Sequence, residues 1–168
     1  TRDGVKLKIR KENQPLCTVG PLSLLKKELN EPFLVMNGDI LTLLNFKELY
    51  DFSINRKEWF TVTIKKETTP YSFGNIFFED DKVIGFEEKP DIIRYILAGI
   101  YIMKPDIFQL LENNQYYNMD SLIKQMLEKQ MPISKYDIKD YWLDIGKVED
   151  YAKGQDIYES YFQGSDKK

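Results

Sequence analysis

Two short apolar runs, each stopping at an acid, limit the fold more than any other feature of this chain. Pro32-Phe33-Leu34-Val35-Met36 gives way at once to Asn37-Gly38-Asp39, and Tyr141-Trp142-Leu143 to Asp144-Ile145-Gly146. A short continuous apolar run bounded by turn residues suits a strand covered on both faces, so the first run predicts a central, parallel strand. In open parallel sheets ligands bind beyond the carboxyl ends of the strands, where Asp39 falls.

The remaining pattern alternates strands with helices. Val5–Arg10 alternates apolar and charged residues, as a half-exposed strand does, and Pro21–Asn30 has helical leucine spacing. Phe46–Arg56 predicts a helix with Asn45 as its N-cap. Trp59–Lys65 and Tyr95–Met103 predict strands, and Asn75–Phe78 and Val83–Phe86 a hairpin around Glu79-Asp80-Asp81-Lys82. Pro105–Leu111 and Met119–Gln130 predict helices, Ile133–Ile138 and Tyr141–Ile145 strands, and Glu149–Phe162 a closing helix. This order predicts an α/β layered fold with a mostly parallel sheet and an antiparallel addition. In 168 residues without a linker or repeat, one domain is expected over 1–163, followed by a polar tail at 164–168.

Composition narrows the chemistry. Lys and Arg number 24 against 27 Asp and Glu, a net charge of −3, which lacks the basic footprint of a nucleic-acid binder. No stretch approaches the roughly 20 apolar residues that span a bilayer, so no membrane partner and a cytoplasmic location are expected. One cysteine excludes an intramolecular disulfide framework. The absence of histidine excludes a Ser-His-Asp centre, a His-liganded metal and an imidazole base within this chain. Carboxylates, lysines, hydroxyls, backbone amides and a hard, oxygen-bound cation remain.

Four segments could carry that chemistry. Asp39, reached through Asn37 and Gly38, suits Mg²⁺, which takes one or two carboxylates plus waters and phosphates; the plainer reading is a turn. Asp144 is a second acid ending an apolar strand, or else a helix cap. Glu87-Glu88-Lys89-Pro90 offers a lysine as a point-charge partner for phosphate, or an ordinary exposed loop. Gln14–Pro21 is a loop before a helix that could meet an anion, or a connector, and it is not a Walker A loop.

In this order, Gln14–Leu25, Phe33–Thr42 (FLVMNGDILT), Phe73–Pro90 (FGNIFFEDDKVIGFEEKP), Tyr95–Met103 and Tyr141–Tyr151 (YWLDIGKVEDY) resemble the sugar-phosphate nucleotidyltransferases, in particular the glucose- or mannose-1-phosphate type. The resemblance covers nearly the whole chain. It implies a Rossmann-like nucleotide-binding α/β fold, and transfer of a nucleoside monophosphate from a nucleoside triphosphate to a sugar 1-phosphate with release of pyrophosphate. It further implies that Asp39 and Asp144 hold Mg²⁺ and act with Lys89 in catalysis. Gly74, Glu88 and Lys89 would meet the sugar phosphate, and Leu16, Cys17, Thr18 and Gly20, with Asn37 and Gly38, the nucleotide.

Three departures qualify it. The family's glycine-rich loop is absent, and the chain opens on Thr1-Arg2-Asp3-Gly4, so a fragment incompetent alone, the C-terminal larger part of the fold, is expected. Such a fragment would self-associate or use a partner segment to cover its N-terminal sheet edge. Cys17 and Val19 stand where the family has small residues, and Leu97 where it often has asparagine. Cys17 and Leu97 favour the alternative, a non-catalytic ligand-sensing or assembly relative. A sugar-nucleotide-dependent glycosyltransferase is a weaker alternative, because Asn37-Gly38-Asp39 supplies one acid rather than two.

Overall fold

The computed structural model describes residues 6–146 together with 154, 155, 158 and 160. A 3₁₀ helix at Gly20–Leu25 leads to β1 (Phe33–Met36), β2 (Ile40–Thr42) and α1 (Phe46–Ile54). Then follow β3 (Phe60–Pro70), β4 (Asn75–Glu79), β5 (Lys82–Glu87) and β6 (Asp91–Met103). A 3₁₀ helix at Pro105–Gln109, α2 (Met119–Glu128), β7 (Ser134–Asp137) and β8 (Trp142–Asp144) complete the order.

The main sheet has the order β1-β6-β3-β7, and two-stranded sheets pair β2 with β8 and β4 with β5. The expectation of a mostly parallel sheet fails among the described residues. Only β3 and β7 run parallel; β1–β6, β3–β6, β2–β8 and β4–β5 are antiparallel. The strand covered on both faces is β6, not β1. Tyr101 and Met103 of β6 join the core under α2, while Ala98, Ile100 and Ile102 join a second core with Leu44 and Leu49. Among the described residues β1 lies at the sheet edge, with Phe33 buried and Leu34 and Met36 exposed. An apolar run cannot by itself reveal whether its second face is covered.

Local signals explain the helices. Asn45 caps α1, its side chain accepting from the N–H groups of Lys47 and Glu48. In α2 the buried residues Met119, Leu122 and Met126 recur at i, i+3 and i+7, one stripe facing the sheet. Each contributes about 1.5–3 kcal/mol by leaving water. The helix expected over Pro21–Asn30 shrinks to one 3₁₀ segment, where buried Ser23 donates to the Gly20 carbonyl and accepts from Asn114 N–H. The helix expected over 105–111 is likewise a short 3₁₀ segment.

No strand forms over residues 6–10. Leu7 and Ile9 stay in water, because alternation stabilises a strand only where a neighbour completes its ladder. Lys8 and Arg10 instead pair with Glu28, and these bonds hold the Glu28 carboxyl below its usual range. Of the closing helix expected over 149–162, residues 154, 155, 158 and 160 are helical; the rest of it and the tail at 164–168 lie outside the described residues. Among the described residues no helix is long and apolar enough to cross a membrane.

Candidate active site

Asp39 and Asp144 are brought together by pairing of β2 with β8. Ile40 lies opposite Asp144 in the register, and Ile145 N–H donates to the Asp39 carbonyl at 2.8 Å. Asp144 Oδ1 accepts from Gly146 N–H at 2.9 Å. A Cβ placed on Gly146 would stand 3.0 Å from Asp144 Oδ1 and 3.5 Å from Asp39 Oδ2, so these two oxygens are at most about 6.5 Å apart. The small sheet is tied to the main one where Trp142 Nε1–H donates to the Ala98 carbonyl at 2.8 Å.

The two acids stand where three clefts meet. One of about 330 Å³ is lined by Cys17, Thr18, Asn37, Gly99, Asn118 and Asp144, among others. A second, of about 610 Å³, runs past Asp39, Glu67, Trp142, Asp144 and Gly146. The third, of about 560 Å³, runs along β1 past Thr18, Asn37, Gly38 and Asp39.

The loop before the first 3₁₀ helix divides its labour. Leu16 and Val19 are fully buried, so neither side chain is free to meet a ligand, and the bulk of Val19 is absorbed in the core. Gly20 is present for packing: an added Cβ would come within 2.4 Å of the Gln115 carbonyl oxygen. Val19 and Gly20 N–H both donate to the Tyr117 carbonyl, and Tyr117 N–H donates to that of Leu16. Only Cys17 and Thr18 face the cleft, with Thr18 Oγ1 also accepting from Met119 N–H at 3.0 Å. Leu97 lines the same cleft.

Cys17 has φ of 64°, a left-handed conformation that costs a non-glycine residue about 1–2 kcal/mol. Its thiol hydrogen-bonds Tyr116, which raises that phenol above its ordinary value. Cys17→Gly removes the strain and adds about 0.5–1 kcal/mol of unfolded-chain freedom. The expected net effect is a gain of up to about 1 kcal/mol in urea unfolding; a loss of more than 1 kcal/mol would show the thiol contacts to outweigh the strain.

Gly38 has no positive φ, and a Cβ there would meet nothing within 4 Å, so its role is open space rather than unusual backbone. The conformational need lies at Gly99, with φ of +70° and Asn37 Nδ2 2.9 Å from where a Cβ would stand. Asn37 N–H donates to the Gly99 carbonyl at 2.9 Å. A lone glycine within the apolar run Tyr95–Met103 was the available sign of this close approach. Asn118, the N-cap of α2, lines the same cleft as Asp144, and its sequence signal is an Asn before an apolar helical pattern. Asp120 lines the cleft beside it, and Glu67, on a strand running longer than its sequence suggests, offered none. Burial, and then the charge of Asp120, push the Tyr101 phenol above its usual value.

Gly74, Glu88 and Lys89 gather at the base of the β4–β5 hairpin and line none of these three clefts. A Cβ on Gly74 would lie 2.5 Å from the Phe86 ring and 3.4 Å from Glu88 Oε2. Lys89 has φ of 46° and lies 3.9 Å from Glu88.

The family model described as Nucleotidyl transferase matches residues 1–160. The chain belongs to this family. Among curated relatives, the mannose-1-phosphate guanylyltransferase catalytic subunit beta of Drosophila pseudoobscura pseudoobscura is 33% identical over 161 residues, which cover 92% of the chain. The chain spans 43% of that relative's length. Two solved structures share the nucleotidyl transferase fold. A Bacillus anthracis protein assigned as a glucose-1-phosphate thymidylyltransferase, bound to sucrose, has a TM-score of 0.68 at 20% identity, covering 92% of this chain and 65% of that one. HddC from Yersinia pseudotuberculosis, complexed with GMP-PN, has a TM-score of 0.60 at 24% identity, covering 88% and 64%.

Asp39 and Asp144 offer hard oxygen donors, and among the described residues no third acid or cysteine joins them in a metal-binding cluster. That donor set fits Mg²⁺, whose remaining positions go to water and phosphate.

Proposed function

We propose that this chain supplies the cation-binding acids and adjoining cleft of a sugar-1-phosphate nucleotidyltransferase. The enzyme would transfer a nucleoside monophosphate from a nucleoside triphosphate to a sugar 1-phosphate and release pyrophosphate. The relative's name makes GTP and mannose 1-phosphate the first pair to try. The observation that carries the reading is the approach of Asp39 to Asp144 where the clefts meet. Mg²⁺ held there would neutralise phosphate charge during displacement at phosphorus.

The chain's own residues position the substrates in this reading. Thr18 and Asn37 present a hydroxyl and an amide to the nucleotide, beside Cys17, while Gly38 leaves room for its approach. The buried Leu16 and the close-packed Gly20 hold that loop from behind. Lys89, with Gly74 and Glu88, serves the sugar phosphate from the hairpin, as the resemblance implies. The outer edge of β1, unpaired among the described residues, would take the further strand expected there. One domain over 1–163 and a cytoplasmic location accord with this reading. The non-catalytic alternative draws on Leu97, an apolar wall where a hydrogen-bonding group would grip a sugar phosphate.

Calorimetry separates the two. Titrating GTP, and then mannose 1-phosphate, into the chain with and without Mg²⁺ is expected to give Mg²⁺-dependent nucleotide binding. Binding insensitive to Mg²⁺ would favour the ligand-sensing reading, and no heat from any nucleoside triphosphate or sugar phosphate would remove both.

A further inference from the structure

Within the nucleotidyltransferase reading proposed above, on which this step rests, we infer that Glu67 is a specificity-determining residue for the second substrate. It selects a sugar 1-phosphate with a neutral, hydroxyl-bearing ring over one that carries a further acidic group. The three clefts meet at Asp39 and Asp144 but differ in what else lines them. Cys17, Thr18, Asn37 and Gly38, which face the nucleotide in that reading, line the first or the third cleft, and none of them lines the second. Displacement at phosphorus brings the attacking oxygen in line with the leaving one, from the opposite side. Of the three, the second cleft is therefore the one through which a sugar 1-phosphate reaches the acids without displacing the nucleotide. Its volume of about 610 Å³ lies in the ordinary range for small-molecule sites.

The lining of this cleft matches a sugar ring. Ile96, Trp142 and Leu143 form an apolar wall, and Trp142 Nε1–H is already committed to the Ala98 carbonyl, which fixes the indole. Beyond Asp39 and Asp144, the one further polar side chain among the lining residues is Glu67. It stands apart from the two acids, which no third acid joins in a metal-binding cluster among the described residues. Its carboxylate makes no hydrogen bond or ion pair among the described residues, although Arg94 lies opposite it in the β3–β6 register. A pyranose presents the complementary set, with C–H groups on its faces and hydroxyl donors around its rim. An ionised carboxylate is an acceptor only, and its bonds from hydroxyls are charge-assisted. With the phosphate directed to the cation at Asp39 and Asp144, the ring lies beside Trp142 and Glu67. A second acidic group on that ring would meet the like charge of Glu67, and no lysine or arginine lines the cleft to offset it. Glu67 is exposed, so solvent moderates both effects without reversing either.

Calorimetry on the full 168-residue chain in Mg²⁺, without nucleotide, tests this with mannose 1-phosphate and glucuronic acid 1-phosphate as probes. The parent chain is expected to bind mannose 1-phosphate the more tightly. Glu67→Gln keeps an acceptor and removes the charge. It is expected to weaken mannose 1-phosphate binding about three- to tenfold, and to tighten glucuronic acid 1-phosphate binding about two- to fivefold. A merely structural role would move both probes in one direction. Fluorescence locates the ring: in a Trp59→Phe background Trp142 is the remaining indole, and its emission should change as mannose 1-phosphate is added. Shifts of the same sign for both probes, no shift for either, or unchanged Trp142 emission at saturation would overturn the proposal. A parent chain that binds GTP with Mg²⁺ but neither sugar phosphate would also overturn it, and would leave the nucleotide half of the underlying reading standing. A parent chain that binds no nucleoside triphosphate would remove that reading and this inference together.

Discussion

Replacing either Asp39 or Asp144 by asparagine is expected to weaken divalent-cation binding at least about 100-fold while leaving the fold intact. Loss of a group that merely orients a metal ligand already costs 10–100-fold, and in the proposed reading a charged ligand itself disappears. Asparagine is the informative replacement. Asp144 Oδ1 accepts from Gly146 N–H, and an amide oxygen in its place keeps that bond. Asp39 is held through its backbone carbonyl, which accepts from Ile145 N–H whatever the side chain. Charge is therefore removed while the β2–β8 pairing stays. Mn²⁺, a paramagnetic substitute for Mg²⁺, makes the measurement possible without turnover, through its spin resonance on titration with and without GTP. Asp120→Asn, in the same cleft but not paired across β2–β8, is the control and is expected to change affinity less than threefold. If either asparagine variant at 39 or 144 binds Mn²⁺ within threefold of the parent, the two acids do not share a cation.

How much of this was legible in the sequence depends on the range of the interaction concerned. The N-cap at Asn45, the hairpin about residues 79–82 and the stripe of α2 are local, set by residues within a few positions of one another. The cap and the hairpin could be read directly; the spacing of α2 puts Leu122, Ile123, Met126 and Leu127 inward, and of these Leu127 is exposed instead. The two acids were also legible, because each ends a short apolar run, although their approach depends on a pairing that spans about 100 positions. Strand direction was not legible. The same apolar letters serve β1 at an edge and β6 in the middle, and only the three-dimensional neighbours distinguish them. Within the loop, Leu16 and Gly20 read as ligand-facing from the resemblance, yet their environment turns them inward, and the hydrogen bonds to Tyr117 hold them there. Glycine was ambiguous in the same way. Gly38 marks space, Gly99 marks a left-handed backbone, and Gly20 and Gly74 mark close packing against a carbonyl and a ring.

Phe60→Ala is expected to cost about 3–5 kcal/mol, a large part of the roughly 5–15 kcal/mol that holds a domain folded. Phe60 opens β3, is fully buried and sits opposite Met103 in the register. Its ring packs beside that of Tyr101 at 5.8 Å between centroids, within a cluster that includes Val62, Ile107 and Leu122. Truncation removes the ring's transfer energy and leaves a void that strands on both sides cannot close, because β3 is hydrogen-bonded to β6 on one edge and β7 on the other. Leu127→Ala is the matched comparison on α2: it removes a large apolar side chain that is 62% exposed, and a cost within about 0.5 kcal/mol is expected. Urea unfolding followed by circular dichroism measures both. A midpoint shift with unchanged slope for Phe60→Ala would show the sheet and α2 losing stability as one unit. A cost below 1 kcal/mol would mean that the core around β3 is loose enough to refill the space. In that case the main sheet would not be the rigid frame on which β2 and β8 hold Asp39 near Asp144.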